Sequence, residues 1–369
     1  MRRTIKVGFW IVVSACALSG PRTAAQSTPA SSTSAFFYQT VNPAQSTVRA
    51  GATSDGSTVR TYDSDLVNAL VRETSTGYGD PVFSRMENGR WAMTAWTRPD
   101  DSRGDGLMYF EADCPAVDAG QVRVFTASSA AGCRPQNPSM AKSSQVFAVD
   151  GSNYIFTMSR GEIYLTRLTS PTTTAADLSS ICVRSTAVNS IHDLARGDAG
   201  RVVSSSDVGE LLLSDVAIAR RKEGTWVLFF KGISSASGCA QGSICELCSR
   251  SIYRMLSLDL IHWSSLETVV AQASVPEAVT YPDGSTWLYY QNFAKACAAN
   301  DVRLADRAAI SGVYELPGGT LSQPIDVKFS NEAFETNTSL HYPTNGNPIA
   351  LPDETSYAAL NACLGRSPR

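Results

Sequence analysis

The sequence predicts an all-β fold: a five-bladed β-propeller that is closed by strands from the N-terminal part of the chain. Two observations predict it. A unit made of a short apolar strand, a tight turn and an aromatic-rich strand recurs five times, starting near residues 80, 143, 215, 277 and 347. These starts are about 60 to 70 residues apart, a period that suits blades of four antiparallel strands. Helical patterns are scarce and are confined to residues 65–72 and 302–308.

Each unit opens as a hairpin. Its first strand is apolar and its second carries aromatic residues, and an Asp-Gly turn between two such runs is a strong hairpin signal. The five turns are Asn88-Gly89, Asp150-Gly151, Glu223-Gly224, Asp283-Gly284 and Asp353-Glu354. The sequence therefore predicts the two inner strands of every blade, including a second strand at residues 357–360 in the fifth unit.

The fifth unit starts too close to the end of the chain to supply four strands. Residues 35–79 contain further strand patterns, for instance at 47–50 and 58–62, and we expect them to complete that blade. Such closure removes an open sheet edge that would otherwise pair with other chains. The alternative architecture is a pair of β-sandwiches in which the spacing of the units is accidental.

The first 25 residues have the pattern of a secretory signal peptide. Residues 1–6 are basic, residues 7–18 are apolar, and Thr23-Ala24-Ala25 is a small-residue cleavage site. We therefore expect a disordered spacer at 26–34, a propeller domain at 35–369, and a secreted or periplasmic protein. The sequence around Cys16 also resembles a lipobox, and lipidation there would place the protein on a membrane surface.

The composition excludes several classes of function. The chain has 31 Lys+Arg and 34 Asp+Glu, and the predicted signal peptide holds basic residues but no acid, so the mature chain is acidic. An acidic chain is a poor nucleic-acid binder. With 43% hydrophobic residues and 18% charged residues it is globular, and its one long apolar run is N-terminal. We expect a monomer without a cofactor or catalytic metal. The sequence leaves open whether a structural calcium ion is bound.

Cysteine usage agrees with export. Apart from Cys16 the chain has eight cysteines, and an even number in an oxidising compartment favours disulfides. Cys114 and Cys133 are the pair that we expect first, because the segment between them has the pattern of a strand, a turn and a returning strand. The alternative for the other group is a zinc site, formed by Cys239, Cys245, Cys248 and Cys297.

Residues at the start of the inner strands of a propeller converge at one end of its channel. The five equivalent positions are Asp80, Ser143, Asp215, Glu277 and Asn347. Carboxylates brought together repel, so one keeps its proton to a higher pH and can act as a general acid beside a general base. The alternative for each acid is a hydrogen-bonded turn cap. Asn347, Trp226 and Trp287 are candidates for binding a sugar, with sheet packing as the alternative for both tryptophans.

Short motifs carry a resemblance to a known group of enzymes. They are Asp80-Pro81, Pro276-Glu277-Ala278 and the run Ser-Leu-Asp-Leu-Ile-His-Trp at residues 257–263. Together with the blade openings they resemble the five-bladed glycosidases of glycoside hydrolase families 43 and 32, over about residues 75–362. In those enzymes a run reading Ser-x-Asp-Gly-x-x-Trp often closes a blade, and Leu260 stands here where glycine is usual. The resemblance implies that Asp80 is the base or nucleophile, Glu277 the general acid, and Asp215 the residue that orients Glu277 and tunes its pKa.

The sequence thus predicts an exported glycoside hydrolase that acts on a polysaccharide or oligosaccharide through a pair of carboxylates. The alternative is a non-catalytic carbohydrate-binding or adhesion propeller, and a third is a structural domain whose acids only cap turns. Fold-level similarity does not choose among the three. The sugar, its linkage and the stereochemical outcome are not encoded in any motif that we recognise.

Overall fold

The computed structural model describes sixteen segments of the chain. They are residues 34–42, 45–65, 78–97, 106–116, 123–127, 133–134, 143–159, 161–168, 180–204, 206–209, 211–234, 238–240, 242–305, 309–330, 342–351 and 353–364. The predicted signal peptide, with Cys16, lies outside these residues. Of the predicted spacer only Ser34 is described, where it begins the first strand.

The first three strands form an antiparallel meander. They are β1 (Ser34–Asn42), β2 (Gln45–Thr53) and β3 (Thr58–Asp65). Side chains alternate along β1, and both of its faces are buried. Phe37 packs in a cluster with Phe83 and Trp91, while Phe36 packs on the other face in a cluster with Trp287. Apolar residues on both faces of a strand indicate a blade that lies between two others.

Blades I and II share one continuous sheet. Blade I consists of β4 (Tyr78–Arg85), β5 (Trp91–Thr97), β6 (Gly106–Ala112) and β7 (Arg123–Ala127). The short strand β8 (Cys133–Arg134) follows it in the chain. Blade II consists of β9 (Phe147–Val149), β10 (Ser152–Ser159), β11 (Glu162–Arg167), β12 (Ser180–Ala187) and β13 (Asp198–Val203). The strand order is β4-β5-β6-β7-β12-β13-β11-β10-β9. The parallel pair of β7 and β12 therefore joins the outer edges of the two blades.

Blades III and IV are separate four-stranded sheets. Blade III is β14 (Leu211–Arg220), β15 (Trp226–Ser234), β16 (Arg250–Ser257) and β17 (Glu267–Ala271), and blade IV is β18 (Ala273–Thr280), β19 (Thr286–Asn292), β20 (Ala309–Tyr314) and β21 (Ile325–Asp326). Short helices lie in their loops: α1 (Ile244–Ser249), α2 (Ala294–Ala299) and α3 (Val302–Ala305). Helix α3 confirms the described part of the helix predicted at 302–308. Of the helix predicted at 65–72, only Asp65 is described, and it ends β3.

Blade V closes the ring with strands from both ends of the domain. Its order is β22-β3-β2-β1-β23, where β22 is Lys328–Ser330 and β23 is Tyr342–Ala350. Strand β1 pairs directly with the inner strand β23, with Phe37 opposite Asn347. The prediction of a five-bladed propeller closed by N-terminal strands is therefore confirmed. The two strand patterns at 47–50 and 58–62 lie within β2 and β3.

The strand predicted at 357–360 is wrong, because this segment lies in helix α4 (Glu354–Leu364). The Asp353 side chain caps the helix, accepting a hydrogen bond from the Ser356 N–H at 2.7 Å. Tyr357, Leu360 and Leu364, spaced as on one helix face, pack against the core cluster of blades I and V. Since β1 already occupies the edge of β23, the chain end has no strand position to fill.

The four other predicted turns join the inner strand of a blade to the next strand. In each turn the glycine has a positive φ, for instance 96° at Gly224 and 91° at Gly284. Glycine adopts this conformation without the clash that a Cβ atom causes. The local pattern of turn and flanking strands was therefore enough to place these four hairpins.

Four disulfides link the described residues. They are Cys114–Cys363, Cys133–Cys182, Cys239–Cys245 and Cys248–Cys297. The predicted pair of Cys114 with Cys133 is wrong, because Cys133 lies in β8, which pairs with β12 beside Cys182, while Cys114 meets helix α4. The alternative of a four-cysteine zinc site is also wrong, since all four sulfurs are in disulfides. Among the described residues no helix is long and apolar enough to cross a membrane.

Candidate functional site in the propeller channel

Three inner strands are interrupted by a bulge near their start. The ladder between each inner strand and its neighbour shifts register at Asp80 in blade I, at Asp215 in blade III and at Val275 in blade IV. These residues have φ angles of 49°, 53° and 51°. The three blades therefore share one backbone irregularity at the same end of the channel.

The bulge position also corrects the alignment of the repeats. Val275, and not Glu277, is the counterpart of Asp80 and Asp215, and Glu277 lies two residues further along its strand. A signal for this register was present in the sequence, because each bulge residue precedes the glycine of its turn by nine positions, as in Asp80 and Gly89. Aligning the units on the turn glycine would have placed Val275 opposite Asp80 and Asp215.

A left-handed backbone at these positions is energetically costly. Aspartate tolerates it better than most residues, whereas a β-branched residue such as Val275 is a marked outlier. Strain of this kind costs on the order of 1 to 3 kcal/mol per residue and is found most often at active sites and ligand-binding sites. The strained end of the channel is therefore the place to look for function.

Asp215 is buried and has a cationic partner. Its side chain forms an ion pair with Lys231 Nζ, which lies on the adjacent strand β15, and both side chains are nearly excluded from solvent. Ser214 Oγ lies 3.4 Å from the same carboxylate oxygen. Asp80 is half-buried at the corresponding bulge of blade I. Sequence reasoning missed Lys231, since a lysine in the middle of a second strand has no distinguishing motif.

Glu277 is fully buried, with 0% of its surface exposed. Its Oε2 accepts hydrogen bonds from Gln145 Nε2 at 2.9 Å and from Asn347 Nδ2 at 3.2 Å. These amides come from blades II and V. The structure therefore brings the predicted residues Glu277 and Asn347 into direct contact, and it adds Gln145, which lies two positions after the residue chosen from sequence, Ser143.

The two amides extend this contact to the remaining blades. Asn347 Oδ1 accepts a hydrogen bond from the Phe83 N–H of blade I at 2.7 Å. Gln145 Oε1 accepts one from the Ile218 N–H of blade III at 3.3 Å. Gln145, Glu277 and Asn347 thus connect all five inner strands through buried hydrogen bonds, and we call these three residues the central ring.

The two predicted tryptophans lie elsewhere. Trp287 is 0% exposed and packs between blades, with its ring stacked on Tyr289 at a centroid distance of 5.6 Å. Trp226 lies opposite Arg220 in the ladder of β14 and β15. Arg220 is five residues beyond Asp215, a distance of about 16 Å along the strand at the usual rise per residue. Neither ring is brought to the strained end of the channel.

No protein-family model matches the chain, and no curated protein matches it either. Among solved structures it is similar to the bifunctional GH43-CE protein of Bacteroides eggerthii, with 12% identity and a TM-score of 0.48, over 81% of this chain and 35% of that one. It is similar to an exo-1,5-alpha-L-arabinanase from a bovine ruminal metagenomic library, with 12% identity and a TM-score of 0.48, over 78% and 92% of the two chains.

A third similar structure is the GH43 endo-arabinanase of Bacillus licheniformis, with 13% identity and a TM-score of 0.46, over 78% and 93% of the two chains. The present chain thus spans about a third of the first of these proteins and more than nine tenths of the other two. Family 43 enzymes, named in the expected resemblance, are among the solved structures to which this chain is similar. At these identities the similarity concerns the fold and assigns no function or residue.

Proposed function

We propose that the protein is an exported glycoside hydrolase whose reaction centre lies at the strained end of the propeller channel. The observation that carries the proposal is the shared bulge: blades I and III hold an aspartate in the same left-handed conformation, at the same end of the channel. Glycoside hydrolysis needs two carboxyl groups that face one bond. The repeat brings Asp80 and Asp215 to this end of the channel, and in the proposal Glu277, two residues beyond the bulge of blade IV, is the second reacting carboxyl group beside Asp80. The disulfides support export, because they are typical of oxidising compartments.

The proposed roles follow from the surroundings of each acid. Asp80, half-buried, activates a water molecule or attacks the sugar directly. Asp215, held by Lys231, orients the site and tunes its electrostatics. Glu277 protonates the leaving oxygen, and because it is fully buried this role requires the substrate to enter the channel as far as the central ring. Asn347, bonded to Glu277, fixes the direction of that carboxyl group.

The second candidate function is a carbohydrate-binding propeller without catalysis. The burial of Glu277 and its hydrogen bonds to amides of two other blades favour this candidate, since a carboxylate that links blades stabilises the fold whether or not a substrate is present. In that case Asp80 and Asp215 contact a bound sugar without attacking it.

The test is hydrolysis of aryl glycosides and plant polysaccharides by the full chain and by Asp80→Asn, Asp215→Asn and Glu277→Gln. General acid or base groups contribute roughly 10²- to 10⁴-fold, so we expect kcat losses of that size for Asp80→Asn and Glu277→Gln. The matched control is Asp150→Asn, since Asp150 also has a φ of 49° but lies exposed in a turn away from the strained end.

The leaving group separates the general acid from a structural role. An aryl glycoside with an acidic phenol needs little proton donation, so Glu277→Gln should lose much less activity on it than on a polysaccharide. Equal losses on both substrates would assign Glu277 a structural role. If the folded wild-type chain hydrolyses none of the substrates but binds a polysaccharide, the non-catalytic candidate replaces the proposal.

A further inference from the structure

The end of the channel that lies away from Asp80 and Asp215 holds a cavity with a volume of about 340 Å³. All five inner strands contribute to its wall, which is more apolar than polar and includes the polar residues Ser84, Gln145 and Thr280. The apolar lining includes Val146, Ile218, Ala278, Val279 and Ile349. This volume is at the lower end of the range found for small-molecule sites. The cavity therefore has the size and lining for a compact ligand with an apolar body.

Two arginines stand at this cavity. Arg85 ends β4 of blade I, and Arg220 ends β14 of blade III. Each guanidinium lies over an indole: Arg85 Cζ is 5.0 Å from the ring centre of Trp91, and Arg220 Cζ is 5.1 Å from that of Trp226. Cation–π contacts of this length hold the side chains in place. Arg220 Nε also donates a hydrogen bond to the Gly224 carbonyl oxygen at 3.4 Å, which leaves the two terminal NH₂ groups of Arg220 as donors for a ligand.

Neither guanidinium has a carboxylate within 4 Å among the described residues, whereas Arg221 and Arg254 both form ion pairs with Glu315. Partial burial lowers the pKa of Arg85, and the more distant charges of Asp113 and Asp353 act in the opposite direction. Two positive charges at one cavity therefore lack a direct counter-ion in the part of the chain that the structure describes.

An adjoining cavity of about 510 Å³ has the opposite character. It shares Ala148, Arg220 and Trp226 with the cavity of about 340 Å³, but Glu87, Asp150 and Asp259 line it as well. Its acidic lining disfavours an anion there. An anion attracted by Arg220 is therefore directed into the channel, where the described lining contains no carboxylate.

We propose that this cavity, with Arg85 and Arg220 at its mouth, binds a small organic carboxylate with an apolar body. The carboxylate accepts charge-assisted hydrogen bonds from the guanidinium groups, and the apolar body fills the channel against the aliphatic wall. The site adjoins the central ring, since Gln145 lines it, but it lies away from Asp80 and Asp215, and the proposal does not depend on glycosidase activity.

The test is isothermal titration of the full chain with 3-phenylpropanoate, and with three comparison compounds. Neutral 3-phenylpropanamide keeps the body without the charge, acetate keeps the charge without the body, and inorganic phosphate tests a plain anion site. We expect 3-phenylpropanoate to bind about ten-fold or more tightly than any of the three. Equal affinity for the acid and the amide, or no saturable binding of the acid, would overturn the proposal, and tighter binding of phosphate would overturn the stated ligand class.

Variants locate the site. Arg85→Gln and Arg220→Gln should each weaken binding of 3-phenylpropanoate about ten-fold or more, while Arg196→Gln, an exposed arginine that lines neither cavity, should leave it unchanged. Thermal unfolding checks that each variant is folded. Should an arginine variant fail to fold, Thr280→Glu adds a carboxylate to the half-buried wall and should abolish binding. Binding that survives Thr280→Glu would contradict the proposal.

Discussion

The bulge residues show how the backbone dictates conformation at single positions. Asp80, Asp215 and Val275 adopt the same left-handed angles, although the valine side chain shares no chemistry with the two aspartates. Valine has no intrinsic reason to adopt them, because its branched side chain clashes with the backbone there. The shape of the inner strand therefore imposes the conformation, and burial of the surrounding blade offsets its cost.

Replacing Val275 by glycine should cost little stability, because the lost burial is offset by relief of the left-handed strain. The matched control is Val279→Gly in the same strand: both valines are 8% exposed, but Val279 has no positive φ. We expect Val279→Gly to lower the free energy of unfolding by about 2 to 4 kcal/mol, from lost burial and added chain entropy. Urea unfolding of both variants measures the difference, and equal losses would show that Val275 carries no strain.

Single residues also show where sequence reasoning succeeded and where it stopped. Asp80 and Asp215 were aligned correctly because a carboxylate opens both repeats, whereas Glu277 was aligned two residues too late, and the catalytic roles of all three stay predictions. Gln145 and Lys231 were missed, because their importance lies in contacts across blades that no local pattern records. Leu260 has a φ of 69°, which explains why glycine is usual at that place in the motif, and its side chain is buried in the core.

At the scale of elements, hairpins were predictable and blade closure was harder. Four inner hairpins were placed correctly because both strands and their turn are contiguous in sequence. Helix α4 was missed because the strand that pairs with β23, namely β1, comes from the opposite end of the chain. Only knowledge of that pairing shows that residues 354–364 have no sheet edge to join, after which their helical apolar spacing decides the structure.

Leu360 is the buried anchor of helix α4, 1% exposed in the core cluster of blades I and V, beside the disulfide that links the helix to blade I. Truncation to alanine leaves a cavity between the helix and this core cluster. Leu360→Ala should therefore reduce the free energy of unfolding by about 2 to 5 kcal/mol. Chemical denaturation monitored by circular dichroism measures it. Thr355→Ala, at an exposed position of the same helix, is the control and should stay within about 0.5 kcal/mol of wild type. A loss for Leu360→Ala no larger than the control's would mean that the Leu360 side chain contributes nothing to the folded core.

The whole molecule is closed in three independent ways. Strand β1 pairs with β23, so the first and last strands of the domain share a sheet. The central ring links all five inner strands on the channel axis. The disulfide Cys114–Cys363 joins blade I to helix α4 across 249 residues of sequence. Without such connections the first and last blades of a propeller could separate. Each of these three features joins parts of the chain that meet at that point.

The closing disulfide should stabilise the fold more than a local one does. In the chain-entropy description, a disulfide restricts the unfolded chain more when its loop is longer, and the loops here span 249 residues for Cys114–Cys363 and 6 for Cys239–Cys245. Replacing both cysteines by serine should therefore destabilise the first variant by about 3 kcal/mol more than the second. Urea unfolding of the two double variants under non-reducing conditions measures this difference. Equal destabilisation would contradict the chain-entropy description, because restriction of the unfolded chain would then not set the stability that the two disulfides contribute.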